Sequence, residues 1–194
     1  MRAGMTRSLM IVGITASLAG TFIAAKRDTP PPGIPPATVA DYVHAVIEAD
    51  RAIYTKHVVD RMQEKGVVAA SENWESQNTL PLPAQFLIDS ARIVAKKDRG
   101  LRYRLVSLWP IYERNGPATD FERGGLEAIL KQPEKTYTGY VESAGRRYFQ
   151  AIYADLAVAQ ACIGCHNAHP NSPRRDFKLN DVMGGIVITL PVGP

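Results

Sequence analysis

The stretch ACIGCHNAHP, residues Ala161 to Pro170, contains both cysteines and two of the four histidines of this 194-residue chain. Within it, Cys162-Ile-Gly-Cys165-His166 has the C-x-x-C-H spacing that is typical of covalent haem attachment. Thiols at this spacing lie on one helical turn, where each can add to a vinyl group of the same porphyrin, and the next imidazole can reach the iron. We therefore predict one haem c, attached through Cys162 and Cys165, with His166 as the proximal iron ligand.

Three other uses of the cluster remain open at this point. A thioredoxin-like redox pair shares the C-x-x-C spacing, but it follows a strand at the start of a helix and needs no histidine. Zinc could bind both cysteines, His166 and His169, although four ligands packed so closely in sequence would strain a tetrahedral site. A disulfide that closes so small a loop would add little stability, because that stabilisation grows with loop length. The pattern favours haem over all three.

The N-terminus has the pattern of an export segment. Arg2 and Arg7 precede an uncharged run, residues 8–25, which ends in small residues before Lys26. Such a run is typical of a secretory signal peptide, and its length also suits an uncleaved membrane anchor. We divide the chain into a signal peptide or N-terminal anchor (1–25), a proline-rich linker (26–37) and one domain (38–194), and we expect a periplasmic protein, soluble or anchored to the inner membrane.

The charge of the exported part indicates no nucleic-acid partner. The first 25 residues contain two arginines and no acidic residue, so the net charge falls from +4 to +2 without them. A balance so close to neutral lacks the basic excess of nucleic-acid-binding domains. The remaining length fits one domain with its own core.

Local patterns predict an α+β domain built on an antiparallel sheet. Helix and strand signals place a long first helix over 39–65, a second helix from Pro83 to before Gly100, a strand within 101–110, a third helix from Thr119 or Asp120 to Lys131, a hairpin of KTYTGYVE and RRYFQAIYA joined at Ser-Ala-Gly, a short helix that carries the cysteines, and a final strand GGIVITL. Gly124 and Gly125 lie inside the third helix, where glycine is unfavourable.

The motif does not determine the second axial ligand of the iron. His57 is the best candidate, because it falls in the middle of the apolar stripe that we predict for the first helix, formed by Val39, Val43, Val46, Ile53 and Tyr54. Core packing of His57, a thioether from Met62 or Met183, and an open or water-filled face are the alternatives.

The sequence also suggests positions for several other polar residues. His44 and Arg51 fall opposite the predicted apolar stripe, and His44 is expected in solvent. His169 is expected in a loop or in a supporting role near the iron ligand. The haem propionates need cationic or polar partners, and no single arginine stands out among the candidates Arg102, Arg104, Arg146, Arg147, Arg174 and Arg175.

The sequence resembles the PAS-like c-type haem domains of bacterial periplasmic haem sensors and of standalone single-haem cytochromes. The resemblance is carried by RAIYTKHVVDRM, LPLPAQFL, RLVSLWPIYERNGPATDFE, and CIGCHNAHP followed by DVMGGIVI, and it covers about residues 38–190. It implies an antiparallel sheet flanked by helices, with haem near the C-terminal part and homodimers in some members. Some relatives take the second axial ligand from a cysteine of the first helix. This chain has no third cysteine, so that ligand cannot be transferred.

These features favour a single-haem c-type cytochrome that transfers electrons to redox partner proteins or senses redox state. The alternative is a haem-based sensor of nitric oxide, carbon monoxide or oxygen, which would signal through a partner protein because no output domain is evident in the chain. A peroxidase-like enzyme with His57 as acid–base group is disfavoured, since no other catalytic group is evident nearby. We therefore predict a protein that is not an enzyme.

Overall fold

The computed structural model describes residues 33–192. The predicted signal or anchor segment, residues 1–25, and most of the predicted linker lie outside the described residues. Within the described range, none of the helices combines the length and the apolar character that crossing a bilayer requires.

The domain is α+β, as predicted. In chain order its elements are α1 (Pro36–Ile53), a π-helical segment (Tyr54–Asp60), α2 (Arg61–Glu64), β1 (Ala70–Ser71), α3 (Trp74–Gln77), β2 (Leu80–Pro81), α4 (Pro83–Lys96), β3 (Arg102–Val106), a 3₁₀ turn (Glu113–Asn115), α5 (Asp120–Lys131), β4 (Tyr137–Ser143), β5 (Arg146–Leu156), α6 (Gln160–Ala168) and β6 (Val182–Pro191).

A four-stranded antiparallel sheet in the order β3-β6-β5-β4 forms the centre of the domain. Strand β6 lies inside the sheet and is buried on both faces, which explains its nearly unbroken run of small and branched apolar residues. The predicted hairpin is confirmed as β4 and β5. Its turn residues Ala144 and Gly145 have φ angles of 49° and 72°, as a two-residue type I′ turn requires.

Helices cover both faces of the sheet. Alternate residues of β5 point to opposite sides, so that Ala151 and Tyr153 pack in one cluster with α1 and α4, whereas Ile152 packs in another with α5. Helix α5 begins as predicted, because the Thr119 hydroxyl accepts a hydrogen bond from the Glu122 backbone N–H at 3.2 Å. The resulting order of layers is α1 and α4, then the sheet, then α5.

The face that α1 buries differs from the prediction. Its buried residues are Ala40, Ile47 and Arg51. Of the predicted apolar stripe, Val39 and Val43 pack against the core, whereas Val46 and Ile53 are exposed. The prediction was therefore wrong for Val46 and Ile53, because the helix is apolar on two sides and hydrophobicity alone could not identify the side that meets the sheet. The helix also changes to π geometry at Tyr54, where the predicted continuous α-helix does not persist.

The expectation that His44 lies in solvent is also wrong. Its ring stacks on Tyr153 with 3.9 Å between ring centroids, and its Nε2 is buried without a hydrogen-bond partner. The Tyr153 hydroxyl donates to Asp41 at 2.7 Å, which fixes the tyrosine beneath the imidazole. Burial lowers the pKa of His44, against the raising effect of Glu48 and Asp41.

We expect His44→Phe to flatten the dependence of stability on pH. Because the pKa of His44 is lowered in the folded state, the unfolded chain binds its proton first as pH falls below the ordinary value of about 6.5, and stability is lost. Phenylalanine keeps the stacked ring and does not titrate. Denaturant unfolding at pH 8 and pH 5 measures the effect as a smaller loss of unfolding free energy in the variant, and equal losses in both proteins would contradict it.

The two glycines of α5 provide a second test of the packing. A Cβ at Gly125 would lie 2.8 Å from the Tyr137 ring and closer still to Ile152, whereas a Cβ at Gly124 would meet only the Tyr137 hydroxyl at 3.7 Å. Overpacking costs about 1–3 kcal/mol, whereas replacing glycine by alanine in a helix gains roughly 1 kcal/mol where there is space. We therefore expect Gly125→Ala to destabilise the protein and Gly124→Ala to stabilise it in urea unfolding; the same sign for both would contradict this packing.

Candidate functional site

A cavity of about 840 Å³ lies beside α6, and Cys162, Cys165 and His166 all line it. Its apolar lining comes from several elements and includes Val59, Pro83, Ile88, Leu105, Val106, Ile111 and Met183. Ligand sites in proteins have this size and this mixture of apolar walls with a few polar groups. The three motif residues are therefore brought together at one concave surface, and they belong to the short helix that the sequence predicts.

Helix α6 is fixed from its C-terminal side by the loop that follows it. The Asn167 side chain donates to the Phe177 carbonyl and accepts from the Phe177 backbone N–H, both at 3.0 Å. The guanidinium of Arg174 lies 4.4 Å from the centre of the Phe177 ring and forms ion pairs with Asp176 and Asp181. These contacts close the loop over α6 and hold the cysteine helix in place beside the cavity.

The surroundings of His166 favour its neutral form. Burial lowers its pKa, and the nearby Arg51 and then His169 lower it further. Its Nδ1 is buried without a hydrogen-bond partner, and its ring meets the edge of Phe177 at 5.7 Å between centroids. A neutral imidazole with an unused nitrogen is the form of histidine that binds metals.

The surroundings of the two thiols disfavour the redox-pair and zinc interpretations. Both cysteines are free, and the pKa of Cys165 is raised by burial and then by Glu72, whereas reactive thiols have a lowered pKa. Across residues 33–192, no three His, Cys, Asp or Glu side chains are grouped closely enough to hold a metal ion by themselves. Cys162, Cys165, His166 and His169 are therefore not arranged as a zinc site.

A buried ion pair also borders the cavity. The guanidinium of Arg51 and the carboxylate of Asp155 bond to each other with side-chain exposures of 11% and 6%, and both residues line the cavity. Burial lowers the pKa of Arg51, and its Nε has no hydrogen-bond partner. Sequence analysis placed Arg51 on the face opposite the predicted apolar stripe. The sequence feature that indicates its burial is its position one turn after Ile47, on the face that α1 buries.

The structure does not bring His57 to the cavity. Its side chain is exposed in the π-helical segment, and it is not among the residues that line the cavity. Met62 is likewise not a lining residue, whereas Met183 is buried and lines the cavity. Met183 packs in the same cluster as Cys162 and Ile163 of α6. Among the lining residues of the described chain, His166 is the sole histidine and Met183 the sole methionine.

His169, at the end of α6, contacts Glu72, which lines the cavity. Its Nε2 lies 3.3 Å from Glu72 Oε1, and its Nδ1 accepts a hydrogen bond from the Asn171 backbone at 3.1 Å. The other oxygen of Glu72 accepts from the Tyr112 hydroxyl at 2.8 Å. Both nitrogens of His169 are therefore engaged in contacts of the loop and the rim, in agreement with the loop role expected from sequence.

The arginines at the cavity are not those considered from sequence. Arg51 and Arg114 line it, whereas none of the six sequence candidates does. Arg104 illustrates the difference, because it donates to the Gly116 carbonyl at 2.7 Å and lies 3.6 Å from the buried Glu122. It stabilises the turn before α5 and does not border the cavity.

Comparison with known proteins identifies the family. Residues 34–191 match the family model described as Tll0287-like. Among solved structures, the crystal structure of the cyanobacterial haem protein Tll0287 is similar, with 14% sequence identity, a TM-score of 0.48, and coverage of 81% of this chain and 97% of that one. A search of curated proteins gives no match. Because the family model spans well over half of the sequence, the chain belongs to the Tll0287-like family.

Proposed function

We propose that this protein is an exported single-haem c-type cytochrome that acts in electron transfer or redox sensing. The observation that carries the proposal is the arrangement of Cys162, Cys165 and His166 along one helix at one cavity. Membership of the Tll0287-like family, whose namesake is described as a haem protein, supports the same cofactor. Export rests on the N-terminal sequence pattern, as does attachment to the inner membrane if that segment is retained.

The residues at the cavity fit a haem. The walls are largely apolar, two thiols border the space, and two buried nitrogens, Nδ1 of His166 and Nε of Arg51, have no partner. Unpartnered buried polar atoms are costly, and they mark a site where a bound group supplies the missing interactions. When bound, the haem supplies a one-electron iron centre.

Different residues of the chain would bind different parts of the haem. Cys162 and Cys165 would hold the haem: each thiol would add across one vinyl group, with a carbon–sulfur bond formed and the thiol hydrogen passed to the other vinyl carbon. His166 would offer an imidazole nitrogen to the iron. Arg114 and Arg51 are the cations available to the propionates, and the apolar walls exclude water, which lowers the local dielectric and strengthens the effect of nearby charges on the iron.

A second candidate function, binding of a diatomic gas, is favoured by one observation. The cavity is lined by no histidine besides His166 and by no cysteine besides the attachment pair in residues 33–192. If His166 were the only residue of the chain to bind the haem iron, nitric oxide or carbon monoxide could bind as a further ligand. Absorption spectra of the reduced holoprotein with and without carbon monoxide separate the candidates: a shifted spectrum supports gas binding, and an unchanged one supports a cytochrome with two ligands from the chain.

We expect full-length protein matured in a host that assembles c-type cytochromes to gain the mass of one haem. Cys162→Ala/Cys165→Ala should abolish the gain, because no thiol remains for the attachment. Intact mass spectrometry after acid denaturation, which removes haem that is bound without covalent bonds, makes the measurement. An unmodified mass for the parent protein would refute the proposed cofactor.

His57→Ala is the matched control for His166→Ala. We expect His166→Ala to change the reduced absorption spectrum, because the proximal ligand is lost, and His57→Ala to leave it unchanged, because that side chain is exposed away from the cavity. A changed spectrum in His57→Ala would restore the interpretation of His57 as a ligand.

The buried ion pair predicts shifts of the reduction potential in opposite directions. Arg51→Met leaves the Asp155 charge unneutralised, which stabilises ferric iron and lowers the potential, whereas Asp155→Asn leaves the cation and raises it. Redox titration followed by absorbance measures both shifts. Arg51→Met/Asp155→Asn is the control and should lie between the single variants. Shifts of the same sign in both single variants would show that the pair acts through structure instead of charge.

A further inference from the structure

A cluster of exposed cations lies at one end of the four-stranded sheet. Strands β3 and β5 begin at this end and β6 ends there, so that side chains from distant parts of the sequence are brought together. The turn between α4 and β3 contributes further cations. We call the cluster the basic end. Its members, all exposed, are Lys96, Lys97, Arg99, Arg102, Arg146 and Arg147.

Two contacts show that the members of the basic end surround one strand end. A Cβ at Gly100 would lie 2.5 Å from Pro191 Cγ, so the turn between α4 and β3 packs against the end of β6. The backbone N–H of Val192, the next residue, donates to the Arg147 carbonyl at 3.1 Å. The lysines of the turn and the arginines of β5 therefore lie on either side of the end of β6.

The domain does not neutralise this charge. Asp98 lies in the same turn as the lysines, and Glu142 is the cross-strand partner of Arg147, so two carboxylates accompany six cations. None of the six cations forms an ion pair with a carboxylate of residues 33–192. Arg147 instead lies 4.2 Å from the centre of the Tyr140 ring. Such a concentration of one sign of charge attracts anionic partners.

The cavity lies at the opposite end of the same sheet. Strand β5 runs from the basic end at Arg147 to the cavity at Asp155, a distance of about 26 Å at roughly 3.3 Å per residue. Acidic residues predominate among the charged residues that line the cavity, which are Asp60, Glu64, Glu72 and Asp155 against Arg51 and Arg114. The domain is therefore polarised along its strands, with positive charge at one end and negative charge near the cavity.

The chain enters the domain at the basic end. Helix α1 begins at Pro36, in the last residues of the predicted linker. Its first turns place Val39 and Val43 against the same core cluster as Leu101 and Val192, which adjoin the basic end. The last turn of α1 instead bears the ion-paired arginine that lines the cavity. The linker that follows the predicted export or anchor segment therefore joins the domain on the side of the basic end.

We propose that the basic end binds the headgroups of anionic phospholipids and so directs the cavity away from the bilayer. The inference rests on the export proposed above. Phosphate groups of lipids accept charge-assisted hydrogen bonds from lysine and arginine, and each such cation near an anionic surface strengthens binding roughly fivefold. A basic surface next to one hydrophobic segment supplies the second attachment that stable membrane association needs. The acidic residues near the cavity are repelled by the same surface, which favours the same orientation.

The first test is a lysine footprint of the full-length holoprotein. The protein is mixed with vesicles of phosphatidylcholine alone or of equimolar phosphatidylcholine and phosphatidylglycerol, and acetylation by an activated ester is followed by peptide mass spectrometry. We expect Lys96 and Lys97 to react several-fold more slowly on the anionic vesicles, whereas Lys178, exposed in the loop after α6, should react equally on both. Equal rates on both vesicles for Lys96 and Lys97 overturn the proposal.

The second test removes charge without altering the lysines that report binding. Arg146→Gln/Arg147→Gln should remove most of the protection of Lys96 and Lys97, because the loss of two cations weakens binding roughly 25-fold. Lys131→Gln/Lys135→Gln is the matched control, since it removes the same charge from exposed positions at the end of α5 and after it; it should retain the protection. Full protection in the arginine variant overturns the proposal, as does equal loss in both variants. Unchanged circular dichroism shows that the variants fold.

Two further measurements separate this proposal from its rivals and from the proposed function. Protection of the lysines by soluble polyglutamate, without protection by the anionic vesicles, overturns it in favour of an acidic protein. Intact mass of the same samples reports the haem, so that a haem-bearing protein without protection overturns the membrane role alone. Protection in a protein of unmodified mass supports the membrane role and refutes the cofactor. Fractionation of the expressing cells tests export separately.

Discussion

The ion pair between Arg51 and Asp155 joins the long N-terminal helix to the end of β5, where the chain leaves the sheet for α6. Removing two charges from water costs several kcal/mol for each ion, so neither side chain is stable in this position without the other. The pair therefore fixes the rotation of α1. With Arg51 directed inward, Ile47 and Thr55, one turn before and after it, are also buried, and the opposite apolar face is left in solvent.

The same constraint explains which parts of the fold are readable from sequence. The hairpin, α4, α5 and α6 follow from local signals, namely a two-residue turn, a proline at a helix start, a Thr119 cap and the spacing of the cysteines. The face of α1 is not a local property, because Val46 and Ile47 are equally apolar and only the tertiary partner separates them. No local sequence pattern predicts the two-residue strands β1 and β2, because they are defined only by their pairing with each other.

The candidate site shows the same division. The residues that would attach and ligate a haem are adjacent in sequence, so their spacing alone identifies them. The charged residues that line the cavity are distant from one another in sequence. Arg51 belongs to α1, Asp155 to β5, and Glu72 to the turn that follows β1. The motif predicts the covalent attachment, whereas the charge around a haem in this cavity would depend on how the fold brings separate elements together. Sequence periodicity alone therefore suggested His57 as an iron ligand. The structure instead places Arg51, and not His57, at the cavity.

Helix α1 presents Arg51 to the cavity and, two residues later, Ile53 to solvent. The turn of α1 that borders the cavity is also its last turn before the π-helical segment begins at Tyr54. If the cavity holds the proposed haem, a one-electron change at its iron would act on Arg51 and Asp155 with opposite signs and would favour one partner of the ion pair over the other. The adjoining π-helical segment, where the Thr55 hydroxyl donates to the Arg51 carbonyl at 2.7 Å, is where the helix departs from regular geometry.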